Sequence, residues 1–201
     1  MVPAPPEKFA IGHPTWTTAV RRLTDQISTD YWQDFQQVSE AEIVSLEATL
    51  NRRLPNDLRQ FLMAFGRGSF TEFGGDIYSP DDMIAACPGP MWMLLGSVEW
   101  ASDEAHRRYY ISRGQENPDP ARFTAAAMNQ LGVPLLDLLQ IGTNGSCGYL
   151  QVNVGNRAWP FGYCVLQESE EVDDKLPSFS DGLYSILIRH WRWHHGIEDD
   201  G

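Results

Sequence analysis

Two punctuation marks, Ser39 and Pro55, organise the most restrictive stretch of this chain, VSEAEIVSLEATLNRRLPNDLRQFLMAFGRGSF. Ser39 stands where it can cap a helix while Glu42, three residues on, returns the hydrogen bond, and Val38 can pack on Ile43 as a hydrophobic staple. Ile43, Leu46 and Leu50 then supply one apolar stripe, widened by Val44 and Ala48. A second helix starts at Pro55, whose missing N–H is harmless in a first turn, with Asn56 and Asp57 near the positive helix end. Leu58, Phe61, Leu62 and Phe65 form its buried face and leave Asp57, Arg59 and Gln60 for water. Gly66 can take the left-handed conformation that ends the helix, and Gly68 permits the turn that returns Phe70 to the core. The stretch predicts an amphipathic helical hairpin.

The flanks carry weaker signals. Residues 1–14 contain prolines and little pattern, which predicts an irregular arm. Trp16, Ala19, Val20, Leu23 and Ile27 are spaced to cover one face of a helix from Thr15 to Ile27. Tyr31, Trp32 and Phe35 read as aromatic cover for the core. This divides the chain into residues 1–37, an arm and helix packed on the main domain, and residues 38–201, the main domain itself. In the middle, RRYYI reads as a strand or a helix end, and ARFTAAAMNQLGVP suits a short helix.

From Leu135 the pattern changes to strands and turns. A segment at Leu138 to Ile141, a turn through Gly142, Gly145 and Gly148, and an extended run carrying Tyr149, Val152 and Val154 lead to a further strand in GYCVLQ. Short turns between adjacent strands imply an antiparallel sheet and exclude a doubly wound nucleotide fold. ESEEVDDK reads as an acidic loop. A last helix from Ser180 or Asp181 places Leu183, Ile186, Leu187, His190 and Trp191 on its core side.

The 201 residues, 42% of them apolar, are enough for a sizeable core. Fifteen basic against 27 acidic side chains give a formal charge of −12, which repels a phosphate backbone and favours a cationic partner. The basic pairs Arg21-Arg22, Arg52-Arg53 and Arg107-Arg108 are isolated, which argues against direct nucleic-acid binding. There is no 18-residue apolar run, and MVPAPPEKFA lacks the features of an export signal, so a cytoplasmic location without membrane insertion is expected. Cys87, Cys147 and Cys164 supply neither a disulfide framework nor a four-cysteine metal site, and read as buried thiols.

The sequence shows no catalytic constellation. His190 and His194 can share a helix face, but no H-E-x-x-H motif is present, and the Gly142 to Gly148 turn lacks the ending of a P-loop. No serine lies in G-x-S-x-G, and Cys87 has no neighbouring base. Asp76, Asp81 and Asp82 could hold a cation, but such residues are common in loops for turn formation. No cofactor and no enzymatic activity are expected.

The order of these elements resembles the SUKH superfamily, which includes fungal cell-wall-synthesis regulators and bacterial immunity proteins. Glu40 and Glu42 match its acidic helix start, Leu54-Pro55 its entry into the second helix, and Phe65-Gly66-Arg67-Gly68 the turn that follows. LLQIGTNGSCGYLQVNV is similar to its strand–turn–strand region and LPSFSDGLYSILIRH to the entry of its last helix, so the resemblance spans residues 38–191. It implies an α+β, SUKH-like fold with helices packed against a mostly antiparallel sheet. It also implies an immunity-type protein that binds and neutralises a cognate protein toxin such as a nuclease, or a non-catalytic adaptor or regulatory module on the same fold. With the acidic charge, the partner is expected to be a basic toxin or another cationic protein. Its candidate contacts are Glu168, Glu170, Glu171, Asp173 and Asp174, a second group of Glu72, Asp76, Asp81 and Asp82, and Arg67 in the glycine turn.

Overall fold

Ser39 does start a helix. In the computed structural model, which describes residues 4, 6–70, 74–86, 138–145, 148–155, 161–167 and 172–197, the Ser39 side chain accepts the Glu42 N–H while the Glu42 carboxylate accepts the Ser39 N–H at 2.8 Å. Helix α2 (Glu40–Leu50) ends on Asn51 in the left-handed conformation, and α3 (Asn56–Ala64) follows directly after Pro55. Leu58, Phe61, Leu62 and Phe65 are all buried, and Phe61 stacks on Phe65 with ring centroids 5.6 Å apart.

Gly66 is needed where it stands. Its φ is +100°, and a Cβ there would lie 1.8 Å from the Gln36 carbonyl oxygen. That close approach lets Gln36 and Arg67 exchange backbone hydrogen bonds, at 2.8 and 2.9 Å, before strand β1 (Gly68–Ser69) begins. Phe70 then returns to the core, as its spacing predicts.

Among the described residues the remaining elements are α1 (Trp16–Thr24), β2 (Asp76–Ile77), α4 (Pro80–Ala85), β3 (Leu138–Thr143), β4 (Gly148–Asn153), β5 (Tyr163–Gln167), β6 (Val172–Leu176) and α5 (Phe179–His194). Among the described residues six strands pair in chain order, every pair antiparallel. This is the α+β architecture implied by the resemblance. Gly142 lies within β3 instead of the turn, because β2 runs so close that a Cβ there would meet the Asp76 carbonyl oxygen at 1.9 Å.

One face of the sheet carries Leu139, Ile141, Leu150, Val152, Tyr163 and Val165 into a core shared with the helices. The other carries Leu138, Gln140, Gln151 and Cys164, also buried. Burial pushes the Cys164 thiol up to about 12, so it behaves as an inert core group. Helix α5 contributes Leu183, Ile186, Leu187 and Trp191 to the core, and His190 is half-buried beside them. Phe9, Trp16, Val20, Leu23 and Ile27 join the same core, although α1 is shorter than its pattern predicts. The arm is tied to α5 by the Ile11 N–H donating to Ser180 Oγ at 2.9 Å and by a Lys8–Asp181 ion pair at 2.5 Å.

Several sequence expectations need correction. Val44 and Ala48 do not widen the α2 stripe; both are exposed, and Glu47 is buried instead. The helix presents this side to α3, whose Arg59 reaches Glu47. Asp57, Arg59 and Gln60 are half-buried, not solvent-facing. The acidic run is not a loop throughout, because Asp173 and Asp174 belong to β6, the last strand of the sheet. Asp81 and Asp82 lie in the first turn of α4, where negative groups complement the helix end. The middle-region helix and strand expectations, and Cys87 and Cys147, fall outside the described residues.

Candidate functional site

Helix α3 separates two depressions. At its C-terminal end, the glycine turn, β2 and the start of α4 enclose a space of about 720 Å³ lined by Asp34, Gln36, Arg67, Asp76, Tyr78 and Asp82 among others. The Gln36–Arg67 bridge sets one wall by bringing the chain before α2 alongside the turn after α3. The pairing of Asp76 with Thr143 sets the other wall.

The charges in this depression are unequally satisfied. Asp82 accepts a hydrogen bond from Ser79 Oγ at 2.5 Å as part of the α4 cap. Arg67 reaches Gln36 Oε1 at 3.4 Å. Asp34 and Asp76 have no ion-pair or hydrogen-bond partner for their carboxylates among the described residues. Burial, and then the nearby Asp76 and Asp82 charges, hold the Tyr78 hydroxyl above its ordinary pKa, against the opposing effect of its hydrogen bond from Gln140. The site therefore offers a negative field, one guanidinium and a tyrosine hydroxyl to whatever enters.

Three residues singled out from the sequence, Arg67, Asp76 and Asp82, thus line one depression, and Asp81 stands exposed next to Asp82. Asp174 lies elsewhere, on β6, where its side chain pairs with Arg189 of α5 at 2.9 Å. Asp173 shares that strand, while Glu72, Glu168, Glu170 and Glu171 fall outside the described residues. Sequence reasoning missed Asp34. Nothing local marks it, since its place depends on a bridge between residues 31 positions apart.

The second depression, a groove of about 910 Å³, opens at the N-terminal end of α3. The C-terminal half of α2, the α2–α3 junction, the end of β4 and the approach to α5 form its walls. Glu47 is the buried charge here, with its side chain 6% exposed. Burial alone would raise its carboxyl, but the Leu54 N–H, Arg53 and Arg59 outweigh burial and hold it below the usual value. Leu54 donates to Oε1 at 3.0 Å, Arg53 to Oε2 at 2.9 Å, and Arg59 Nη1 lies 3.1 Å from Oε2.

Among the described residues no group of three His, Cys, Asp or Glu side chains is placed to hold a metal ion, and no helix is long and apolar enough to cross a membrane. A helical hairpin on a meandering antiparallel sheet is the architecture of an α+β, SUKH-like fold. The model of the SMI1 / KNR4 family (SUKH-1) matches residues 37–185, and the chain belongs to that family. Its members are in general non-catalytic immunity or regulatory proteins. No curated protein matches the chain.

Proposed function

We propose that the protein is an immunity-type binder that neutralises a cognate basic toxin, such as a nuclease, in the cytoplasm, by occupancy and without turnover. The observation that carries this reading is the pair of uncompensated carboxylates, Asp34 and Asp76, gathered beside Asp82 in one depression of a family member with a formal charge of −12. A nuclease must attract phosphate and so presents cationic side chains. An acidic depression complements them, which accelerates encounter and disfavours wrong partners more than it raises final affinity. Arg67, at the rim of the same depression, is suited to a partner carboxylate and would fix the register of the complex.

The test is a protection assay. Co-expression with a toxin encoded beside this protein's gene is expected to restore growth, and the Asp34→Lys, Asp76→Lys double variant to lose protection while remaining folded. Full protection by that folded variant would remove the depression from the account. Stable binding to a non-toxic cellular protein without any protection would assign the chain to the regulatory branch of the family instead.

A further inference from the structure

Strand register decides which side chains face the acidic depression together. β1 and β2 pair Gly68 with Ile77 and Ser69 with Asp76, so one step further along the same register Arg67 stands across from Tyr78. Ile77 is buried in the core, and alternation along the strand turns Asp76 and Tyr78 to the opposite face of the sheet. Residues directly across a pair of strands share a face, which puts Arg67 and Ser69 beside Tyr78 and Asp76. All four line the depression.

What the Tyr78 hydroxyl can do is fixed from behind. Its oxygen accepts the Gln140 Nε2–H at 3.0 Å, and Gln140, on β3, is only 4% exposed. A phenol has a proton to donate besides the lone pairs with which it accepts. The bond from Gln140 uses a lone pair, and the proton has no acceptor among the described residues. Burial, and then the Asp76 and Asp82 charges, keep the hydroxyl protonated, so it stays a donor at neutral pH.

The same carboxylates decide which acceptor this proton meets. A partner carboxylate brought to Tyr78 would face Asp76 and Asp82, and like charges so placed are costly. A neutral carbonyl oxygen carries no such penalty. Any cationic side chain of a protein arrives with backbone carbonyls of its own, whereas a free cation does not.

We propose that Tyr78 is the specificity-determining residue of the depression, its hydroxyl donating to a backbone carbonyl of the basic partner while the carboxylates hold that partner's cationic side chain. The depression then reads a cation joined to a peptide and discriminates against free cations such as polyamines. Gln140 acts through the Tyr78 oxygen and is a positioning residue. This inference rests on the reading of the depression as the docking site of a basic protein.

The test compares a capped tetralysine peptide with spermine, since each carries four ammonium groups and only the peptide has carbonyls. Amide shifts at Asp76, Tyr78 and Asp82 of the isotope-labelled full chain report both affinities. Tyr78→Phe alone would strand the buried Gln140 donor, so it is combined with Gln140→Leu, because replacing both partners by apolar groups is nearly neutral for stability. In this double variant the peptide is expected to bind about three- to tenfold more weakly, the scale of one neutral hydrogen bond, and spermine as it binds the parent. The salt dependence of peptide binding should stay the same, because the lost group is neutral. Equal weakening of both probes, or no weakening of the peptide, would overturn the role of Tyr78 and leave the acidic depression standing. Shifts from neither probe in the parent would overturn both readings. Asp34→Asn with Asp76→Asn should weaken both probes alike, so failure of the cation site and failure of the Tyr78 role are read separately.

Discussion

Asp57 of α3 accepts the backbone N–H of Ser180 of α5 through Oδ2 at 2.8 Å, joining two helix starts that lie 123 residues apart in sequence. The same carboxylate accepts the Leu58 N–H through Oδ1 at 3.0 Å. Asp57→Ala would leave the Ser180 donor without its acceptor at a half-buried position, at a cost of about 1–3 kcal/mol. Asp57→Asn keeps one acceptor oxygen and should recover part of that loss. Urea denaturation of the two variants checks the order.

Glu47 holds the hairpin shut from inside. Glu47→Gln would leave Arg59 partly buried against a neutral amide and weaken the bonds from Leu54 and Arg53. Arg59 keeps its ion pair with Glu40, so the expected loss is about 1.5–3 kcal/mol, the scale of hydrogen bonds lost at a charged group. Arg53→Gln, by contrast, should fall within about 1 kcal/mol of the parent, because that side chain is mostly exposed. Thermal or urea midpoints of the two variants separate the role of the carboxylate from that of Arg53.

His190 makes stability depend on pH. Burial, and then the charge of Arg189, push its pKa from the ordinary 6.5 down to about 4, and its Nδ1 shares a short hydrogen bond with the Tyr31 hydroxyl. The unfolded chain therefore binds the proton more readily than the folded one between those values. The contribution of the neutral ring is complete above about pH 6.5 and is lost as pH falls toward 4. Between pH 7.5 and 5 the expected loss is about 2 kcal/mol. Glu47, with its lowered pKa, contributes to acid lability only below the ordinary carboxylate range. Denaturation across this window should show a flatter profile for His190→Gln, which can still partner Tyr31 but does not titrate there.

Phe61 is fully buried between Phe65, Trp32 and Phe179, with the Phe179 ring 5.4 Å away. Phe61→Ala should cost about 3–5 kcal/mol, since those rings are held by separate elements and cannot close the cavity together. A denaturation midpoint and the near-ultraviolet signal of Trp32 would report the loss.

What was legible in the sequence divides along physical lines. The capping box at Ser39, the stripe from Leu58 to Phe65 and the turn at Gly66 are set by neighbours within a few residues, and they stand as read. Val44 and Ala48 were misassigned, and the burial of Glu47 was not read, because helical spacing alone does not say which neighbours a helix has. The Leu54 N–H and Arg53 from the α2–α3 junction, together with the Arg59 charge from α3, are what stabilise a buried carboxylate on that side. Asp173 and Asp174 read as loop because charge runs usually are, whereas pairing with β5 draws them into a strand whose outer edge tolerates charge. The acidic depression was half legible. Asp76 and Asp82 attract notice by composition, but Asp34 joins them only through the distant Gln36–Arg67 bridge.

Docking of a basic partner in the acidic depression is tested most directly by association kinetics. The rate constant for binding of the toxin should be measured against salt concentration for the parent chain and for the Asp34→Asn, Asp76→Asn double variant. Steering by these carboxylates predicts a rate roughly tenfold lower at low salt and a flatter salt dependence in the variant, with an unchanged denaturation midpoint. Equal rates with equal salt dependence in both proteins would contradict it.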